Sequence, residues 1–95
     1  MRIVLDTNVV LTIFGRHSEQ RWILDALMQA KFILLVTTEI MFEYQEILLR
    51  RQKASIAYLA VALLARLPNV VAVEPHFYWN LIHTDPDTIS LWIVP

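Results

Sequence analysis

Ninety-five residues set the scale of one small domain, able to bury only roughly 60–65% of the surface its unfolded chain exposes. An apolar content of 57% with a single glycine excludes intrinsic disorder, and the absence of cysteine excludes disulfides and thiolate metal sites. A formal charge of −1 excludes a generally basic, nucleic-acid-coating surface; local clusters remain at Arg50, Arg51 and Lys53 and at Arg16 with Arg21, where helix ends would suit cations.

The chain opens on MRIVLDTN. Ile3-Val4-Leu5 predicts a short apolar strand that stops at Asp6, and Thr7 or Asn8 can cap a helix through Val9, Val10, Ile13 and Phe14 that Gly15 halts. In an open α/β sheet, ligands gather outside the carboxyl ends of the parallel strands, which makes Asp6 the anchor of any site. Trp22, Ile23, Ala26, Leu27 and Ala30 recur at helical spacing and predict a helix over 19–30. The unbroken apolar run 32–36 then predicts a strand buried on both faces of a parallel sheet, which closes a βαβ crossover.

Ile40, Met41, Tyr44, Ile47 and Leu48 predict an amphipathic helix ending at Arg50-Arg51 and carrying Glu39, Glu43 and Glu46. A further helix over 55–67 is apolar nearly all round and calls for cover on several sides, and 70–73 predicts a third strand. Residues 77–82 read as a short extended segment leading into the polar turn HTDPD, followed by the apolar octapeptide TISLWIVP, too short for a whole crossover. The longest apolar run, 56–65, has ten residues where a membrane span needs about 20, so no membrane contact is expected. With no basic leader or cleavage site ahead of the first strand, the expected location is the cytoplasm.

The acids at Asp6, at Glu43 and at Asp85 with Asp87 fall where elements start or stop, and in a parallel sheet such positions converge on one edge. Crowded carboxylates repel unless a divalent cation neutralises them; oxygen ligands favour Mg²⁺ or Mn²⁺, which suits hydrolysis of a phosphodiester. Each residue also has a plainer reading. An aspartate after a strand is more often a helix cap, DPD is ordinary turn composition, and Glu46 can pair with Arg50 on a solvated face. His17, His76 and His83 lack ligand spacing, and Trp22 and Trp79 are expected in the core, not stacked on bases.

MRIVLDTNVV followed by an apolar helix, then FILLVTTEIMFEYQEILLRR, and finally DPD together resemble the PIN domain family, in particular its toxin components of bacterial toxin–antitoxin systems. The resemblance covers residues 1–87. It implies a three-layer α/β fold with a parallel sheet and a Mg²⁺- or Mn²⁺-dependent endoribonuclease that acts on RNA and has an antitoxin protein as partner. On this resemblance Asp6 matches the first metal-binding acid, Glu43 the second, and Asn8 the polar residue beside the first. Asp85 and Asp87 match the segment that introduces the later acids. The expected metal ligands are thus Asp6, Glu43 and Asp87, with Asp85 in the catalytic set and Asn8, Arg50 and Arg51 on the substrate.

Family members continue with further acids, helices and strands where this chain has TISLWIVP. Restoring one nucleotide ahead of Thr88 gives a frame readable as DNKFVDCA, in which Trp92-Ile93 encodes an aspartate whatever codons are used. The expectation is an incomplete PIN-like domain over 1–87, its C-terminal strands and helices missing, with a frameshifted tail over 88–95 and impaired activity. Its rivals are a non-catalytic remnant that binds an antitoxin or itself, and a plain α/β domain whose acids are caps and turns. The apolar composition and an uncovered sheet edge lead to an expected homo-oligomer.

Overall fold

The computed structural model describes residues 2–15, 19–84 and 88–91. In chain order the elements are β1 (Arg2–Leu5), α1 (Thr7–Ile13), α2 (Arg21–Met28), β2 (Ile33–Val36), α3 (Thr38–Arg51), α4 (Ala54–Arg66), β3 (Val70–Ala72), α5 (Pro75–Thr84) and β4 (Thr88–Leu91). The strands form one sheet in the order β3-β2-β1-β4, and every pairing is parallel.

Alternation along the strands sorts the layers. Ile3, Leu5, Leu34 and Val36 join the larger core beneath α1, α2, α3 and α4, where Val10, Ile13, Leu27, Tyr44, Leu48 and Leu64 are buried. Val4 and Leu35 point to the opposite face and meet Tyr78 and Leu81 of α5. The result is the expected three-layer α/β arrangement. Connections run from β1 out to β2 and β3, then return across β1 to β4, so the strand order reverses beside β1. In open α/β sheets that reversal leaves a crevice at the carboxyl ends of the strands.

Several expectations need correction. Residues 77–82 are helical, not extended: Pro75 sits at the first helical position, and the Glu74 carboxylate accepts from the amides of His76 (2.8 Å) and Phe77 (3.1 Å). Residues 88–91 form a strand, so α5 and β4 together complete a crossover that the octapeptide could not make alone. The cap of α1 is Asp6, not Thr7 or Asn8. α4 is buried along one stripe only, Ala57, Ala60 and Leu64, while Tyr58 and Leu59 stand in solvent. Trp22 and Trp79 are 65% and 58% exposed instead of lying in the core.

Candidate active site

Asp6 ends β1 with extended backbone and begins α1. Its Oδ2 accepts the Asn8 amide at 3.1 Å, and its carbonyl accepts the amides of Val9 and Val10. The plainer reading of this aspartate as a cap is therefore correct, yet it leaves the other carboxylate oxygen without a hydrogen bond among the described residues. β2 ends in the same way at buried Thr37, whose hydroxyl accepts from the Ile40 amide at 3.0 Å and caps α3. Ile40 packs against both core clusters, which sets the first turn of α3 at the meeting of the layers.

What joins these two strand ends is Tyr44. Its hydroxyl donates to the Leu5 carbonyl at 2.7 Å in the buried core, tying the residue after Glu43 to the residue before Asp6. Burial pushes the Tyr44 phenol well above its ordinary range, and the nearby charge of Tyr78, then of Asp6 and Glu43, pushes it the same way. The Tyr78 phenol is likewise raised, by burial first and then by Glu43 and Asp6. The same two carboxylates thus raise both phenols, one from α3 and one from α5.

A cavity of about 310 Å³ opens between α1 and α3, lined by Thr7, Glu43, Glu46, Ile47 and Arg50. Glu46 and Arg50 form the expected ion pair on its rim. Arg50 therefore stands beside Glu43, whereas Arg51 turns to a separate hollow. Asn8 is exposed on the first turn of α1, where its backbone carbonyl accepts from the Thr12 hydroxyl. Asp85 and Asp87 lie outside the described residues, as does His17, and among the described residues no three acids or histidines come together.

A family model described as PIN domain matches residues 2–91. The chain belongs to the PIN domain family. PIN domains are generally metal-dependent nucleases and typically use divalent cations such as Mg²⁺ or Mn²⁺. Neither a search of curated proteins nor one of solved structures returned a match.

The donor set of this PIN domain fits such a cation. Mg²⁺ favours hard oxygen ligands, keeps several waters, and is commonly held by one or two carboxylates with substrate phosphate completing the shell. Asp6 and Glu43, brought to one edge from separate elements, supply that minimum. The sequence singled out both acids, offered Thr7 only as a helix cap and Tyr44 only as a stripe position, and gave Tyr78 no role. A signal for Tyr44 was available: a tyrosine on the inward stripe of an amphipathic helix needs a partner for its hydroxyl, and the nearest backbone belongs to the strand beneath. Tyr78 had no such signal, because its segment did not read as a helix.

Proposed function

We propose that this PIN domain is a metal-dependent endoribonuclease of the toxin–antitoxin type. Asp6 and Glu43 hold a Mg²⁺ or Mn²⁺ ion, and Asp85 and Asp87, next in the family pattern, complete the acidic set. When bound, the cation neutralises charge building on the scissile phosphate and makes water a stronger nucleophile. Asp6 is oriented by its cap bond, Glu43 by the Tyr44 anchor, and Asn8 and Arg50 stand where they can contact the RNA backbone. Single-stranded RNA is the preferred substrate because its loops expose the backbone. The observation that carries this reading is the buried hydrogen bond of 2.7 Å from the Tyr44 hydroxyl to the Leu5 carbonyl, which ties the helix turn bearing Glu43 to the strand end at Asp6.

The test is cleavage of single-stranded RNA with Mn²⁺ by the wild type, Asp6→Asn and Glu43→Gln. Asparagine caps a helix about as well as aspartate, and Glu43 is exposed, so both variants should keep their stability within roughly 0.5 kcal/mol. Loss of cleavage in both supports the reading. Equal traces in all three identify a contaminating nuclease and remove the enzyme. The shifted-frame reading of 88–95 is tested separately, by sequencing the locus for a PIN-like continuation in the other frame.

A second observation supports the interaction reading. A hollow of about 800 Å³ has Phe14, Ile56, Leu59 and Leu63 in its wall and Arg21, Arg51 and Lys53 around it. Cations around an apolar floor suit an acidic amphipathic segment, the chemistry an antitoxin would bring. Co-expression with the neighbouring open reading frame, followed by co-purification from wild type but not from Leu59→Glu, tests that partner. The alternative partner, a second copy of the chain, predicts a dimer by light scattering that Leu59→Glu dissolves.

A further inference from the structure

The cavity between α1 and α3 holds more chemistry than Glu43. Glu43, Glu46 and Arg50 recur at three- and four-residue spacing along one face of α3, and Thr7, the residue after Asp6, closes the cavity from α1. Two carboxylates and one guanidinium give the lining a formal charge of −1, and Asp6 beside Thr7 adds another acid. Such a cavity repels an anion except where a cation is presented to it, and among the described residues lining it that cation is Arg50 alone. Arg50 is already engaged. Its Nη2 donates to Oε1 of Glu46, and the two side chains are 68% and 62% exposed. Helical side chains lean toward the N-terminus of their helix, so Arg50 reaches back over Glu46 toward Glu43, about 10 Å away along the axis. Glu46 therefore occupies the guanidinium where an anion entering beside Glu43 would meet it. An exposed pair of this kind is weak, and a phosphate oxygen offers the same guanidinium an equally good acceptor, so one partner exchanges for the other at little cost.

We propose that Glu46 holds Arg50 in reserve for a phosphate that enters this cavity, and that the phosphate displaces the Glu46 carboxylate from the guanidinium. This rests on the nuclease reading for the identity of the ligand, an RNA backbone. Glu46 is then a positioning residue. It keeps Arg50 stretched over the cavity while no RNA is bound, and it subtracts from RNA affinity by the strength of the pair that is given up. No covalent bond changes; one charge-assisted hydrogen bond replaces another. A phosphate carries no sequence information, so the effect falls equally on every RNA sequence. A pair that served only the stability of α3 would leave Arg50 without any part in RNA affinity.

The experiment measures equilibrium binding of a fluorescein-labelled single-stranded RNA 8-mer to the full chain in Ca²⁺ over a series of salt concentrations, for the wild type, Glu46→Gln, Arg50→Gln and the double variant. Both positions are exposed and glutamine is a good helix former, so every variant should fold. Glu46→Gln should bind about two- to fivefold more tightly, the affinity equivalent of one exposed ion pair. Arg50→Gln should bind more weakly by at least as much, and its plot of log K against log salt should be shallower by about 0.7, the loss of one phosphate contact on a single strand. In the Arg50→Gln background, Glu46→Gln should add little, because its effect runs through Arg50. The proposal is overturned by no gain in Glu46→Gln, by an unchanged affinity in Arg50→Gln, or by an equal gain with and without Arg50, which is plain charge repulsion. It is also overturned if Glu46→Gln loses the rise in melting temperature with Mn²⁺, which makes Glu46 a ligand of the ion. The two readings fail differently: without the exchange, cleavage still depends on Asp6 and Glu43; without the nuclease, the Arg50-dependent gain can persist but no acid-dependent cleavage appears.

Discussion

Tyr44 shows how one side chain can be both core and site. Its ring fills the space between α3 and β1, and its hydroxyl is spent on the last carbonyl of β1, which ties the turn bearing Glu43 to the strand end at Asp6. Tyr44→Phe keeps the ring and removes the donor, leaving a buried carbonyl short of a partner at a cost of about 1–2 kcal/mol. That should appear as a melting temperature lower by roughly 4–16 °C in a domain of this size, with weaker Mn²⁺ dependence of cleavage. The phenol also makes stability depend on alkali. Its folded-state value lies above the unfolded value near 10, so above that pH the unfolded chain releases its proton first and the folded chain must keep one it would otherwise lose. Stability is fully present at neutral pH and falls as pH rises past about 10. Urea titrations at pH 7.5 and 10.5 should show the decline in wild type and a shallower one in Tyr44→Phe.

At the scale of elements, the ends of helices carry the unexpected chemistry. Gly15 was the expected stop of α1, and the helix does end just ahead of it; its φ is not positive, and its amide donates to the Thr12 carbonyl. The left-handed residue is Ala30, at φ 57°, closing α2. Its amide donates to the Leu27 carbonyl and that of Lys31 to Ala26, both at 3.0 Å, the pair of bonds that defines a Schellman end. An alanine there costs roughly 1–2 kcal/mol relative to the right-handed region, and glycine would regain more than its added chain entropy removes. Ala30→Gly should therefore raise the melting temperature by about 2–8 °C in calorimetry, without affecting cleavage. Nearby, the Asn69 side chain donates to the carbonyls of Leu27 and Phe32, pinning the α2–β2 connection from the start of β3. No local pattern around Asn69 announces that role.

Across the whole molecule, the acidic edge sits on a sheet buried beneath four helices on one face and a single helix on the other. No helix among the described residues is long and apolar enough to cross a membrane. Two carboxylates on a shared edge repel, and a bound cation removes that repulsion while binding only the folded chain. Mn²⁺ at a hundredfold its Kd should therefore stabilise the domain by about 2.7 kcal/mol, read as a rise in melting temperature. The rise should vanish in the Asp6→Asn, Glu43→Gln double variant. An equal rise in that variant would locate the ion elsewhere.

The first three strands and most of the helices were legible in the sequence because each obeys a local rule, and the same rules singled out Asp6 as a candidate. Apolar runs of four or five make buried parallel strands, 3.6-residue spacing makes amphipathic helices, and an acid at the end of a strand lies at the functional edge of such a sheet. The PIN resemblance rested on those same local stretches, and the family match bears it out. Only the tertiary structure decided what depends on contact between distant segments. Tyr44 reaches across 39 positions to β1, α5 forms because Tyr78 and Leu81 have a sheet face to cover, and Trp79 is left in solvent. The reason is physical: spacing along a chain specifies which face a residue takes on its own element, but what stands opposite that face is supplied by another part of the chain.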